Sequence, residues 1–150
     1  MKTLNLLAIL FMITGFSFAE KMTMKYGGDW TNTTMIQNDN FMSMTGAFVG
    51  TNVMMLGKEE IRTNFICTGL YQTEPAAMLM GSCNMKQAGT NDYWVLNWKC
   101  STTGSGKEKC KGKAIGGTGR FKGITGVCNY TVKYLPENKL TTVGTCDYKI

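Results

Sequence analysis

The sequence predicts an all-β protein, a single closed antiparallel up-and-down barrel of about eight strands that is stapled by disulfide bonds. Three observations support this prediction. The six cysteines are spaced so that each consecutive pair is symmetric about a turn, as facing residues of neighbouring antiparallel strands are. Apolar and polar residues alternate through the second half of the chain. The 18 glycines and only 2 prolines suit tight turns and strongly coiled strands. Closure would remove both sheet edges, and an open sandwich is the competing layout.

Residues 1–19 have the three parts of a signal peptide. Lys2 supplies the positive charge, Leu4–Phe18 is largely apolar, and Ser17–Ala19 places small residues where cleavage before Glu20 needs them. The apolar stretch is shorter than the ~20 residues that a membrane span needs, and no second apolar run reaches that length. We therefore expect residues 20–150 to form one β-barrel domain, secreted or periplasmic, with no membrane span after cleavage.

Residues 20–57 have the weakest pattern in the mature chain. Strand-like composition falls at Thr31–Ile36, Phe41–Val49 and Thr51–Leu56, and Asn38–Asn40 marks a turn. A weak helical period surrounds Met55–Arg62. This half is expected to supply two or three strands, which brings the total to eight or nine.

Six strands are predicted downstream, at roughly 62–72, 78–86, 92–100, 108–115, 124–134 and 140–149. The third is the clearest, because Trp94, Leu96 and Trp98 fall on one face while Asn97 and Lys99 fall on the other. The other residues predicted to face inward are Phe65, Cys67, Tyr71, Leu79, Cys83, Met85, Cys100, Cys128, Tyr130, Val132, Tyr134, Cys146 and Tyr148.

An even number of cysteines in an exported chain predicts three disulfide bonds. Facing positions on neighbouring strands lie within disulfide reach. The preferred pairs are Cys67–Cys83, Cys100–Cys110 and Cys128–Cys146, because their turns centre on single residues at Pro75, Ser105 and Glu137. The same symmetry also permits Cys83–Cys100 and Cys110–Cys128, with Cys67 and Cys146 meeting on closure. The wide spacing and the absence of histidine argue against a zinc site.

Alternating lysines mark one strand. Lys107, Lys109, Lys111 and Lys113 should share its outer face, while Cys110 and Ala114 share the inner one. A solvated barrel exterior accounts for these lysines, with an edge guard or an anionic contact patch as alternatives. Nucleic-acid binding is not expected, because the face lacks arginine and interleaved aromatic residues.

One stretch, 116–126, is densely patterned with glycine and reads GGTGRFKGITG. It is not a phosphate loop, because it lacks the Gly-Lys-Ser/Thr ending and precedes a strand. We interpret it as a tight hairpin in which Gly116, Gly117, Gly119 and Gly123 take positive φ and Phe121 turns inward as a plug.

This stretch resembles the GGTG-x-F-x-G segment of the allene oxide cyclase and dirigent-like barrels, most closely their small secreted bacterial relatives of unassigned function. The resemblance covers about Cys67–Tyr148 and is specific at 116–126. It implies an eight-stranded antiparallel barrel with an apolar cavity. It also implies that no cofactor is bound, because plant members steer cyclisation or radical coupling through confinement and a few buried polar groups.

The sequence assigns no catalytic residue. Without histidine there is no Ser-His-Asp or Cys-His arrangement, and oxidised cysteines are not nucleophiles. Glu59 and Glu60 could form a paired-carboxylate site but are expected to be solvated, and Arg120 belongs to the glycine-rich turn. The other acids of the patterned half are predicted in turns or on outward positions; they are Glu74, Asp92, Glu108, Glu137 and Asp147.

Methionine is frequent, and it is interpreted as core filler in place of leucine, with a methionine-lined ligand surface or a copper site as the alternatives. No metal is expected. Asn32 and Asn129 begin glycosylation sequons, which matter only in a eukaryotic secretory pathway.

The sequence favours a non-catalytic exported barrel that holds a small apolar ligand in its cavity or presents a surface. The candidate cavity residues are Tyr71, Trp94, Trp98, Tyr130, Tyr134 and Tyr148. One alternative is an isomerase or cyclase of the allene oxide cyclase kind, which would rely on a shaped cavity. The other is a structural or partner-binding protein whose barrel is filled by its own side chains.

Overall fold

A computed structural model describes residues 19–101 and 107–150. These residues form eight strands and one short 3-10 helix. The strands are β1 (Glu20–Gln37), β2 (Met42–Leu56), β3 (Glu59–Gln72), β4 (Met78–Gln87), β5 (Tyr93–Ser101), β6 (Lys107–Gly117), β7 (Thr125–Leu135) and β8 (Lys139–Lys149), and the 3-10 helix Gly119–Phe121 joins β6 to β7. Each strand pairs antiparallel with the next, and β8 pairs with β1 to close the barrel. The predicted fold class is confirmed.

The first half contains two long strands. The predicted segment at 31–36 is the end of β1, and the segments at 41–49 and 51–56 merge into β2. The predicted turn is confirmed: the side-chain oxygen of Asn38 accepts hydrogen bonds from the backbone N–H groups of Asn40 (3.1 Å) and Phe41 (2.9 Å). The weak helical period at 55–62 corresponds to no helix, because the chain there turns from β2 into β3 through Gly57 at φ 59°.

The three disulfides are Cys67–Cys83, Cys100–Cys110 and Cys128–Cys146. They join β3 to β4, β5 to β6 and β7 to β8, and each links residues in direct register. The preferred pairing is confirmed and the shifted pairing is wrong. Each bond therefore closes one two-stranded unit, while the seam between β8 and β1 is held by backbone pairing.

One end of the barrel is closed by its own side chains. Phe121 plugs this end and is fully buried, together with Ile124. The connection is longer than the tight hairpin that the sequence suggested, because it contains the 3-10 helix. Gly116, Gly119 and Gly123 have positive φ, whereas Gly117 does not. A side chain at Gly117 would instead collide with the backbone of Tyr93 and with Phe121. The large side chains packed without exposure in this half are Met22, Met24, Met54, Met85, Trp94 and Leu96.

The opposite end is open on one side. Pairing between β1 and β8 stops at Asp29 and Lys139, yet β1 and β2 continue as a hairpin to Gln37 and Met42. The backbone N–H of Trp30 donates to the carbonyl of Asn138 at 3.1 Å where the two strands separate. The projecting hairpin forms one wall of the barrel mouth. The connection 102–106, between β5 and β6, lies outside the described residues.

Candidate functional site: the mouth of the barrel

A cavity of about 370 Å³ opens at this end of the barrel. Its wall comes from the projecting hairpin and from strands β3, β4, β6 and β7. The lining residues are Trp30, Met42, Met44, Tyr71, Leu79, Glu108 and Tyr134. The volume lies within the range typical of small-molecule sites, and the wall is mostly aromatic and thioether surface with one carboxyl group.

A second, inner chamber lies deeper in the barrel and measures about 30 Å³. Trp98, Tyr130, Thr142 and the Cys67–Cys83 disulfide contribute to its wall. A space of this size holds little more than a water molecule. Of these two spaces, only the outer cavity has room for a larger ligand.

Glycines at inward positions of neighbouring strands make room for Trp30, which lines the mouth, and for Trp98, which lines the inner chamber. A Cβ added at Gly69 would lie 3.1 Å from the Trp98 ring and 3.2 Å from the Trp30 ring. At Gly81 it would lie 2.6 Å from Trp98, and at Gly46 it would lie 3.1 Å from Trp30. The separation of 2.6 Å is shorter than real Cβ contacts, and those of 3.1–3.2 Å would require the rings to shift by a few tenths of an ångström. The tryptophan rings therefore pack closely against the backbone of these glycines.

Aromatic rings continue from the mouth into the core. The ring of Trp30 lies 5.8 Å from that of Phe48, which lies 5.0 Å from Phe65. Phe65 meets Tyr26 edge-on at 5.3 Å, and Tyr26 lies 6.2 Å from Tyr130. These spacings are those of favourable aromatic pairs. The walls of the outer cavity are thus anchored to the packed half of the barrel.

Glu108 corrects the sequence-based placement of the acids. It was expected in a turn or on an outward position, but it faces inward, is only 7 % exposed and lines the mouth. The reason is strand parity: Glu108 lies on β6 at the same face as Cys110, Gly112 and Ala114, all buried. The alternation that placed the neighbouring lysines outside also places this carboxyl inside, so the sequence contained the signal.

Two further polar groups belong to the site. Burial, followed by the nearby Glu108 carboxyl and Tyr71, raises the pKa of Tyr134 to about 12. Its phenol therefore stays protonated at neutral pH and can donate a hydrogen bond. The indole Nε1 of Trp98 is buried and has no hydrogen-bond partner among the described residues. Buried donors are usually paired, so this N–H offers a contact to a ligand acceptor or to water.

The structure places four of the six candidate cavity residues at the two spaces and the other two in the closed half of the barrel. Tyr71 and Tyr134 line the outer cavity, and Trp98, Tyr130 and again Tyr134 line the inner chamber. Trp94 is fully buried in the closed half. Tyr148 lies toward the closed end, where its hydroxyl donates to Glu20 at 2.9 Å. Sequence reasoning missed the residues that the first half supplies; these are Tyr26, Trp30, Met42, Met44 and Phe48.

The other acids that the sequence analysis considered form no comparable site. Glu59 pairs with Arg120 and Glu60 with Arg62, Asp147 lies on the exterior beside Lys21, and Asp92 accepts a hydrogen bond from the Arg120 backbone. Glu74 and Glu137 lie in turns. Within residues 19–101 and 107–150, no three His, Cys, Asp or Glu side chains lie together in a way that could hold a metal ion. In the same ranges no helix is long and apolar enough to cross a membrane.

The closed eight-stranded barrel, plugged at one end and open at the other, has a fold similar to that of a dirigent protein. Among solved structures it is similar to the pterocarpan synthase dirigent protein GePTS1, with a TM-score of 0.51 over 87 % of each chain. Sequence identity is 11 %, so this likeness concerns the fold alone. No family model matches the chain, and no curated protein matches its sequence.

Proposed function

We propose that this protein is an exported barrel that binds a small aromatic molecule in its mouth. The observation that carries the proposal is the outer cavity of about 370 Å³, walled by Trp30, Tyr71 and Tyr134 and containing the carboxyl of Glu108. A barrel filled solely for structural purposes would have no reason to keep aromatic surface and a nearly buried carboxyl group around an open space.

The size of the cavity bounds the ligand. A cavity of about 150 Å³ takes one benzene ring, so a cavity of about 370 Å³ suits a molecule of about two rings. Flat rings gain most from tryptophan and tyrosine walls, because stacked or edge-on contacts add to the burial of apolar area. Methionine side chains at Met42 and Met44 adapt to the outline of what they touch.

The polar groups set the chemistry of the ligand. The Trp98 N–H would donate to a carbonyl or ether oxygen that reaches the inner chamber, and Glu108 would accept from a hydroxyl at the mouth. A bicycle that carries both a phenolic hydroxyl group and a carbonyl oxygen meets both requirements, whereas a lactone without a hydroxyl group meets only the first. An unsubstituted hydrocarbon of the same size meets neither and should bind more weakly.

The leader and the disulfide bonds support the proposal that the protein is exported. The leader predicts passage across a membrane, and three disulfide bonds are typical of an oxidising compartment. Bridges that join β3–β4, β5–β6 and β7–β8 also hold strands that carry the cavity wall.

Coumarin and naphthalene form a matched pair of probes, since both have two fused rings but only coumarin has acceptor oxygens. We expect coumarin to bind the wild-type protein about five- to tenfold more tightly, the effect of one hydrogen bond. Trp98→Phe keeps a ring and removes the donor, so it should abolish this preference while naphthalene binding changes little. Ile66→Val, on the outer face of β3, is the control and should leave both affinities unchanged. Failure of both probes to bind would contradict the proposal.

Catalysis is the second candidate, and Glu108 is the observation that favours it. A nearly buried carboxyl beside the Tyr134 phenol could transfer a proton within a confined ligand, as a cofactor-free isomerase or cyclase requires. A small molecule retained by protein from its own source can be identified by native mass spectrometry and supplied again. Conversion by the wild-type protein, and binding without conversion by Glu108→Gln, would support catalysis. Binding without conversion by both proteins would indicate that the protein carries the ligand and does not transform it.

A further inference from the structure

We infer that the outer face of strands β5–β7 is a second binding surface, and that it docks an anionic polysaccharide. This lysine face consists of Lys99 on β5, Lys107, Lys109, Lys111 and Lys113 on β6, and Lys133 on β7. All six are exposed. No acidic residue occupies an outward position on the described parts of these three strands. The surface is thus uniformly positive on a chain whose net charge is only +6.

The strand register brings like charges into direct opposition. Lys99 faces Lys111 across the β5–β6 seam, and Lys107 faces Lys133 across the β6–β7 seam. Like charges at facing positions destabilise a sheet. None of the ion pairs found among the described residues involves Lys99, Lys109, Lys111 or Lys113. The stability of the barrel therefore does not account for this arrangement.

Protection of a sheet edge does not account for it either. Charged residues, lysine above all, guard strands whose backbone groups are unpaired. Strand β6 is paired on both sides, with β5 and with β7, in a closed barrel. The edge-guard interpretation of the lysines is wrong, and an anionic partner is the explanation that remains beyond simple solvation.

The side chains between the lysines indicate which kind of polyanion fits. Ser101 faces Lys109, Asn129 faces Lys111 and Thr131 also faces Lys109 across the seams. These hydroxyl and amide groups both donate and accept hydrogen bonds, as contacts to sugar hydroxyls require. Outward positions 97–101, 107–115 and 127–133 carry no aromatic residue in the described structure. Nucleic acid would need stacking platforms. A membrane surface would need large apolar anchors such as Trp, Phe or Leu, and the exposed apolar side chains at these positions are Ile115 and Val127.

Lysines at every second residue of β6 stand ~6.6–6.8 Å apart along the strand. A linear chain of uronate or sulfated sugars that lies along β6 meets a positive charge at four successive outward positions, from Lys107 to Lys113. Lys99 and Lys133 flank it on the neighbouring strands. The surface is on the barrel wall and not at the mouth, so its occupation leaves the cavity open.

Polygalacturonate and dextran sulfate test this inference, with neutral dextran as the uncharged control. We expect the purified protein to bind both anionic polymers at physiological salt and to release them in 1 M salt, where screening shortens the Debye length to ~3 Å. Changing Lys99, Lys109, Lys111 and Lys113 to Gln should weaken binding about 30-fold, the combined effect of four exposed ion pairs. Changing Lys58, Lys86, Lys122 and Lys149 to Gln removes the same charge elsewhere and should weaken it less than about threefold.

A footprint on the wild-type protein gives an answer that does not depend on whether the variants fold. Bound polygalacturonate should protect Lys99, Lys109, Lys111 and Lys113 from acetylation and leave Lys58 and Lys86 reactive. The inference is overturned by equal losses of affinity in the two quadruple variants, by uniform protection of all lysines, or by no binding to either anionic polymer. It is also overturned if duplex DNA or phosphatidylglycerol vesicles bind more tightly than both polysaccharides.

Discussion

Arg120 and Glu59 are joined by two parallel hydrogen bonds, of 2.8 Å to Oε1 and 2.6 Å to Oε2. Arg120 belongs to the 3-10 helix that carries the Phe121 plug, and Glu59 is the first residue of β3. The carboxyl of Asp92 accepts from the Arg120 backbone N–H at 3.0 Å. Bidentate contacts of this kind fix orientation as well as distance. They hold the 3-10 helix that carries Phe121 against the β2–β3 hairpin, so contacts at the outer surface stabilise the closed end.

This pair predicts a pH-dependent stability. Hydrogen bonding and charge attraction from Arg120 lower the pKa of Glu59 from its usual 4.5. Because the folded-state pKa is the lower one, the stabilisation is present above the unfolded pKa and disappears as the pH falls through the folded value. Wild type should therefore melt at a higher temperature than Glu59→Gln at pH 7, and the gap should close in acid.

Glu60→Gln is the matched control for that measurement. Its partner Arg62 makes a single contact of 3.1 Å between exposed side chains, so the change in melting temperature should be smaller. A gap for Glu59→Gln that persists unchanged in acid, or that matches the gap for Glu60→Gln, would show that the bidentate pair does not hold the plug.

Substitutions at the glycine-rich connection should reduce folded yield. A Cβ at Gly117 would lie 2.5 Å from the carbonyl oxygen of Tyr93, and one at Gly119 would collide with the Asp92 carboxyl at a φ of +53°. Gly117→Val and Gly119→Val should each cost ~1 kcal/mol or more. Lys111→Val, on the exposed face of β6, should stay within ~0.5 kcal/mol. Denaturant titration of the three variants measures their free energies of unfolding. Equal free energies would mean that the turn does not constrain the barrel.

The pKa of Tyr134 should depend on the neighbouring carboxyl group of Glu108. Burial, with Glu108 nearby, raises the pKa of Tyr134 to about 12. Glu108→Gln removes the negative charge and should lower this pKa, because ionised tyrosine is then less repelled. NMR of ζ-carbon-labelled tyrosine, assigned with Tyr134→Phe, measures it. Glu137→Gln, in the exposed β7–β8 turn, should have no effect on this pKa. If the Tyr134 pKa were unchanged in Glu108→Gln, the two side chains would not interact as the structure indicates.

The leader and the disulfides predict the mass of the exported protein. Cleavage before Glu20 should remove residues 1–19, and three disulfides should make the intact mass six hydrogens lighter than that of the reduced chain. Strand β1 begins at Glu20, so processing there leaves every β1–β8 pair intact. Alkylation of two cysteines without reductant, or a retained leader, would contradict this prediction.

The second half of the fold could be predicted because its constraints are local. Strands with strict alternation, such as Trp94, Leu96 and Cys100 on β5, reveal their inward face directly. Cysteines in register then fix which positions oppose each other, as at Cys128 and Cys146. The pairing and the strand bounds followed from these two signals.

The first half and the mouth could not be predicted in the same way. Inward positions of β2 carry Gly46, Gly50 and Asn52, which hide the alternation. Asn52 is buried, and its amide N–H donates to Thr63 at 3.2 Å. The cavity wall depends on the hairpin that β1 and β2 form beyond Asp29, which is a consequence of where barrel closure stops. Among the lining residues that sequence reasoning misplaced or missed, Glu108 alone had a clear signal, which was the parity of β6.

The two tryptophans of β5 provide the most direct test of ligand binding at the mouth, because each carries one indole N–H. Trp98 lines the inner chamber and lies against Gly69 and Gly81, whereas Trp94 is fully buried in the closed half. In a ¹H–¹⁵N spectrum of the wild-type protein titrated with coumarin, the Trp98 indole resonance should move downfield and the Trp94 resonance should stay in place. Equal movement of both resonances, or saturation by coumarin with the Trp98 resonance unmoved, would contradict binding at the mouth.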